Sequence, residues 1–332
     1  MSTALSRFAL ALIAVCSVTV AACADETIRP LTIKASVVPL DAGPEHSKAI
    51  GKLLHLGTLR LETPDKDFGG LSGLIVSDDG ERFLAISDVS HWLTGKLSYR
   101  DGKLAGVSGT QMGPLLDLDG HPLVGKGGDA EGLAGSIDGD VFVSFEGDHR
   151  IWRYAFGKQG LAARPMRVAT PALLAKAPGN SGLEGITLLS NGRLLALTEE
   201  FRDDAGNFHG WLIAPDGGSP AQSLALKPRA PFALTDVRQL DNGDVLTLER
   251  RFNRIGGVGF EMRRIAGSSV AEGAVLDGAV VADAGMAFVI DNMEGLSVRK
   301  GPHGETFVYL ISDDNFNEPL QQTLLMMFEL KN

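Results

Sequence analysis

Apolar and polar positions fall in the same order five times along this chain. The copies read FGGLSGLIVSDDGERFLAISD at 68–88, GGDAEGLAGSIDGDVFVSFE at 127–146, GNSGLEGITLLSNGRLLALTE at 179–199, FALTDVRQLDNGDVLTLE at 232–249 and DNMEGLSVRKGPHGETFVYLISD at 291–313. Each runs from a polar or acidic residue through an apolar stretch, a glycine-bearing turn and a second apolar stretch to a carboxylate. Counted from Ser72, Glu131, Glu184, Asp236 and Glu294, the steps are 59, 53, 52 and 58 residues. A period of this size marks a repeat architecture.

The apolar runs Leu84–Ile86, Val141–Phe145, Leu194–Leu197, Val245–Leu248 and Phe307–Ile311 are strand-sized and bounded by turns. Four of the turns carry Asx-Gly pairs (Asp79-Gly80, Asp138-Gly139, Asn191-Gly192, Asn242-Gly243), a strong hairpin signal, and the fifth is the longer Gly301–Gly304. Helical periodicity is confined to Pro171–Ala177. Many short antiparallel strands leave a sandwich, a barrel or a propeller. The long period selects an all-β propeller, since ~40–50 residues make one four-stranded blade. Five motifs predict five blades around a central channel, and the length of 50–332 leaves room for a sixth. Strand Thr323–Leu330 is expected to pair with a strand near Leu53–Leu61 and close the ring, removing its free edges. Residues 25–49 read as a tether or an added edge strand.

Within each hairpin the first and last letters of the motif meet at the end opposite the turn. Ser72 then meets Asp88, Glu131 meets Glu146, Glu184 meets Glu199, Asp236 meets Glu249 and Glu294 meets Asp313. Innermost strands line the channel, so up to nine carboxylates are expected at one mouth, with Asp314 beside them. Carboxylates at such quarters raise one another's pKa unless a cation intervenes. All-oxygen donors favour a hard ion, Ca²⁺ before Mg²⁺. Glu131, Glu184, Asp236, Glu294, Asp313, Asp314 and Asp88 are the candidate metal ligands. An alternative reading makes the first-position acids blade locks that accept backbone N–H groups.

Basic residues follow the second acids: His91, His149 with Arg150, Arg202, and Arg250 with Arg251. Carboxylates, a cation and arginine suit a phosphate ester, the cation polarising it and arginine gripping the anion. Glu146, Glu199, Glu249, Arg250, Arg251 and His149 are the candidate catalytic residues. The alternative is a set of rim ion pairs, each worth little. Trp92, Trp152 and Trp211 read as filling between blades. No Gly-x-Ser-x-Gly, His-Glu-x-x-His or Walker loop occurs, and Gly256–Gly259 reads as a flexible turn.

Composition narrows the picture. The 332 residues are 44% hydrophobic with 41 glycines, enough for a core but rich in turns. Arg7 and the apolar run Phe8–Ala22 read as an export signal over 1–24. Ala22-Cys23-Ala24 suits a signal peptidase and Val20–Cys23 suits a lipobox, so the expected location is periplasmic, secreted or outer-membrane lipoprotein. Both cysteines, Cys16 and Cys23, lie in that segment, which leaves the remainder without disulfides or thiolate metal ligands. The net charge is −10, and without Arg7 30 basic residues face 41 acidic ones, or −11. Such a surface disfavours nucleic acid and anionic lipid, leaving a lipid on Cys23 as the only expected membrane tie.

Several motifs in order resemble the phytase-like family, also described as esterase-like activity of phytase. They are Phe68–Leu74, Asp129–Leu133, Leu248–Phe252, Asp291–Leu296, Ser312–Asn317 and Gln322–Leu325, and the resemblance spans about 50–330. It implies an exported β-propeller that hydrolyses phosphate or carboxyl esters; propeller phytases hold calcium in an acidic channel. The expectation is therefore a calcium-dependent hydrolase of a small phosphate ester. A non-catalytic propeller binding a cationic or sugar ligand, and an interaction scaffold, stand as alternatives.

Overall fold

The computed structural model describes residues 27–41, 43, 47–253, 256–317 and 320–331. The expected export signal and Cys23 lie outside them. Five sheets radiate from a central channel as five blades. Their innermost strands are Leu71–Val76, Ala130–Gly135, Leu183–Leu188, Ala233–Gln239 and Asn292–Lys300, each packed against the next around the ring. No sixth blade is present among the described residues.

The ring closes as the sequence predicts. In blade five the third strand is Thr323–Leu330 and the fourth is Leu53–Glu62, paired antiparallel from Thr323↔Leu61 to Leu330↔Leu53. Lys34–Val38 extends the same blade and Arg29–Pro30 borders blade one, so this N-terminal stretch adds edge strands. The short helix lies at Ala172–Lys176, as a single 3₁₀ turn.

Alternating apolar positions on each strand bury both faces of every sheet, which produces five separate cores at the five blade interfaces. Trp92 and Trp152 fill the interface of blades one and two, and Trp211 that of blades two and three. The Asx-Gly turns sit at one end of the channel, around a cavity of about 1050 Å³. In three of them glycine takes a left-handed φ (77° at Gly80), and the Asx side chain accepts the amide two residues on, as Asp79 does from Glu81 at 2.8 Å.

Between the two ends lies Arg238. Its guanidinium donates to the carbonyls of Leu74, Leu133 and Ile186, on the inner strands of blades one, two and three. It also pairs with Asp236 Oδ1 at 2.7 Å, and Asp236 Oδ2 accepts Leu296 N of blade five at 2.8 Å. The pair therefore links all five inner strands across the channel.

Candidate functional site

In four of the five motifs both letters do meet at the end opposite the turns. A bulge at the start of each inner strand decides which side chains face the channel. The extra residue is Ser72 in blade one, Glu184 in three and Glu294 in five, and in blade two Glu131 and Gly132 together oppose Ser144. On the partner strands Asp88, Glu146 and Glu199 follow the last ladder pair, and each amide donates back to Gly70, Asp129 or Gly182 at 2.8–3.0 Å.

Blade four departs from the sequence expectation by one residue. Its bulge falls on Thr235, because Leu234 pairs with Glu249 and Asp236 with Leu248. A one-residue slip turns every side chain to the opposite face. Asp236 thus takes the place of Gly73, Gly132, Gly185 and Gly295, and points at the neighbouring blade rather than the mouth. Glu249 turns into the sheet, where it meets Arg263 at 2.6 Å with both side chains fully buried. Neither belongs to the acidic mouth; Asp236 is a blade lock. Arg250 instead occupies the position of Asp88, Glu146, Glu199 and Asp313.

Three further expectations are corrected. Asp314 accepts Gly70 N and Thr323 Oγ1, tying blades one and five, and does not line the cleft. Arg251 alternates away from Arg250 and lies 5.8 Å over the Phe232 ring, so the two arginines form no clamp. His149 bonds Pro178 O at 3.0 Å behind Gly182, outside the cleft. Other basic residues serve packing: Arg150 stacks on Phe145 and Trp152, and Arg202 on Phe208. His91 is buried and does not line the cleft.

The mouth itself is a cleft of about 1070 Å³. Among the described residues nine carboxylates line it: Asp88, Asp129, Glu131, Glu146, Glu184, Glu199, Asp291, Glu294 and Asp313, with Arg250 the one basic residue. Seven of these were expected. Asp129 and Asp291 were missed, although Asp129 stands in the Asp-Ala-Glu step of the second copy and Asp291 opens the fifth.

Oxygens of Asp129, Glu131 and Glu146 lie within 4.8 Å of one another. Glu146 Oε1 also accepts Gly182 N at 2.6 Å, which fixes its orientation. Asp88 approaches Gly70 so closely that a Cβ there would clash, and its Oδ1 has no hydrogen-bond partner. Arg250 Nε stands 2.7 Å from Glu294 Oε1, and its Nη2 stands 3.4 Å from Glu199 Oε1. Asn292 donates to Glu294 at 2.7 Å. The hydroxyls of Ser72 and Thr235 donate to the carbonyls of Ala130 and Met293 in adjacent blades.

Burial and mutual repulsion set the titration of this group. Burial, then Glu184 and Asp129, pushes Glu131 well above the usual carboxylate range; burial, then Glu199, does the same to Glu184. Burial raises Glu294 to about 8 against the pull of Arg250. Burial also raises Glu146 and Glu199 to about 7. Asp88 is raised to about 7, by burial and then Asp313, and Asp313 to about 6 by burial. The neighbouring acids, Glu294 first, hold Arg250 firmly protonated. The donor set, all oxygen and short of positive charge, fits a hard cation.

The phytase-like family, described as esterase-like activity of phytase, matches residues 66–316. No curated protein matches the chain. Among solved structures it is similar to the PQQ-bound aldose sugar dehydrogenase of Streptomyces coelicolor, at 14% identity over 90% of this chain and 99% of that one, with a TM-score of 0.45. It is similar also to a gluconolactonase of Xanthomonas campestris, at 15% identity over 91% and 99%, with a TM-score of 0.41.

Proposed function

The chain belongs to the phytase-like family, and from that premise we propose that it hydrolyses a phosphate ester with calcium held at the acidic mouth. The observation that carries this reading is the convergence of Asp129, Glu131 and Glu146 within 4.8 Å. Three carboxylates so placed, with six more around them, call for a cation between them. Calcium accepts irregular shells of oxygen, whereas magnesium demands near-octahedral ones.

Bound there, calcium would polarise the ester and acidify a water molecule. Asp129, Glu131 and Glu146 would hold it. Glu199, with a pKa of about 7, is poised to take a proton from the attacking water or return one to the leaving alcohol. Glu294, raised to about 8 in the metal-free mouth, holds a proton near neutral pH and so can donate a hydrogen bond. Arg250 offers its fork to a phosphoryl oxygen, exchanging its looser contact with Glu199 for it. Ser72 is committed to the Ala130 carbonyl, which argues against a serine nucleophile. The basic and apolar run of residues 7–22 supports export as part of the proposal.

Metal analysis of the purified protein, with phosphoester and carboxyl-ester assays before and after chelation, tests the reading. Calcium near stoichiometric and phosphoester turnover lost on chelation support it. Turnover indifferent to chelation overturns the metal role, and turnover of carboxyl esters alone overturns the substrate class.

A further inference from the structure

The cleft has two unlike walls. From blades one to three it receives carboxylates, Ser72, Asn180 and Gly70, with no apolar side chain. Among the described residues, every apolar side chain lining it lies within 252–320: Phe252, Val258, Met286, Ile290, Phe316 and Leu320. Leu320 is 78% exposed, Phe252 68% and Met286 66%, three of the five most exposed large apolar residues of the described chain. Met286 rests on Gly257 of the blade-four hairpin, and the Phe316 ring covers Gly69 and Gly70.

Single exposed apolar residues are ordinary, but a cluster along one side of a polar cleft marks a contact surface for a ligand. The carboxylates of blade two line the same cleft, and Arg250, on the strand that carries Phe252, reaches Glu294 and Glu199. Among the described residues Arg250 is the one basic side chain lining the cleft, a single guanidinium to grip a single phosphate. We infer that the substrate is an amphipathic phosphate monoester: a single phosphate toward Arg250 and blade two, and an apolar alcohol portion laid on Phe252, Met286 and Leu320. The phosphate half rests on the function proposed above; the apolar half does not.

The test is a ladder of ethyl, butyl and hexyl phosphate with the calcium-loaded full-length protein, read as affinity by calorimetry and as kcat/KM. Each added methylene is expected to tighten binding about two- to fourfold. In the double variant Phe252→Ser, Leu320→Ser the hexyl-to-ethyl ratio should fall toward one, while Val124→Ser, exposed outside the cleft, preserves it. A flat ladder in the unaltered protein overturns the inference. So does a dimer formed through this rim that the double variant abolishes. If no alkyl phosphate binds, the phosphate half falls, and alkylammonium ions without calcium read the apolar half alone: length dependence upholds it and a flat series overturns it.

Discussion

Arg250 stands 2.7 Å from Glu294, at the one position of the five-fold ring where the other blades place Asp88, Glu146, Glu199 and Asp313. It is the local counter-charge of the metal-free mouth. Arg250→Gln should destabilise the metal-free protein by about 2–3 kcal/mol in urea unfolding, because Glu294 and Glu199 lose their partner. Calcium should restore much of this loss. Phosphoester turnover should nevertheless fall at least about tenfold, one transition-state contact being removed. Unchanged stability without calcium would contradict this role.

The raised carboxyl groups make stability depend on pH. Folded, they hold protons that the unfolded chain releases at about 4. Their contribution is therefore fully present below that point and is lost as pH rises through about 6 for Asp313, about 7 for Glu146, Glu199 and Asp88, and about 8 for Glu294. The metal-free protein should melt lower by about 5 °C or more at pH ~8 than at pH ~5. Calcium competes with the protons on its own ligands, Glu146 among them, so its affinity should climb as pH rises through about 7. Melting curves with and without calcium at several pH values check both trends.

Glu146 and Glu249 end the same motif yet face different environments. Glu146→Gln should weaken calcium binding about tenfold or more with little change in folding. Glu249→Gln should leave calcium binding intact and cost about 3 kcal/mol, since buried Arg263 loses its closest carboxylate and keeps only Asp277 at 3.3 Å. Calorimetric titration beside urea unfolding separates the two.

Arg238 satisfies carbonyls on three inner strands besides its own Asp236. Arg238→Met should cost about 3–5 kcal/mol, leaving those carbonyls without this donor and Asp236 without its counter-charge. Arg238→Lys should recover only part of it, because an ammonium cannot reproduce the planar fork. Chemical denaturation of both variants is the measurement.

The fold was legible because its cues are local. Asx-Gly turns between short apolar runs mark each hairpin, and Thr323–Leu330 reads as a strand lacking a sequential partner. The mouth was legible wherever glycine marks the register, as in Leu71-Ser72-Gly73 or Leu183-Glu184-Gly185. The fourth copy, Leu234-Thr235-Asp236, has no such glycine. Aligning it on its nearest acid moved Asp236 and Glu249 onto the wrong face and hid Arg250's place in the ring. Arg238 was passed over because its partners are backbone carbonyls 52 to 164 residues away, which no motif records. The apolar wall was hidden for a similar reason: Phe252 stands near the end of a strand of blade four, Met286 lies between blades four and five, and Phe316 and Leu320 share the loop before Thr323–Leu330.

By spanning the channel, Arg238 makes the mouth a blind cup rather than a tunnel. Whatever enters must leave by the same opening. Substrate, alcohol and phosphate would share one doorway, so released phosphate competes directly with the next molecule to arrive. A long polymer could not be threaded through and trimmed stepwise; only a molecule, or the end of one, that can dip in and withdraw suits this architecture.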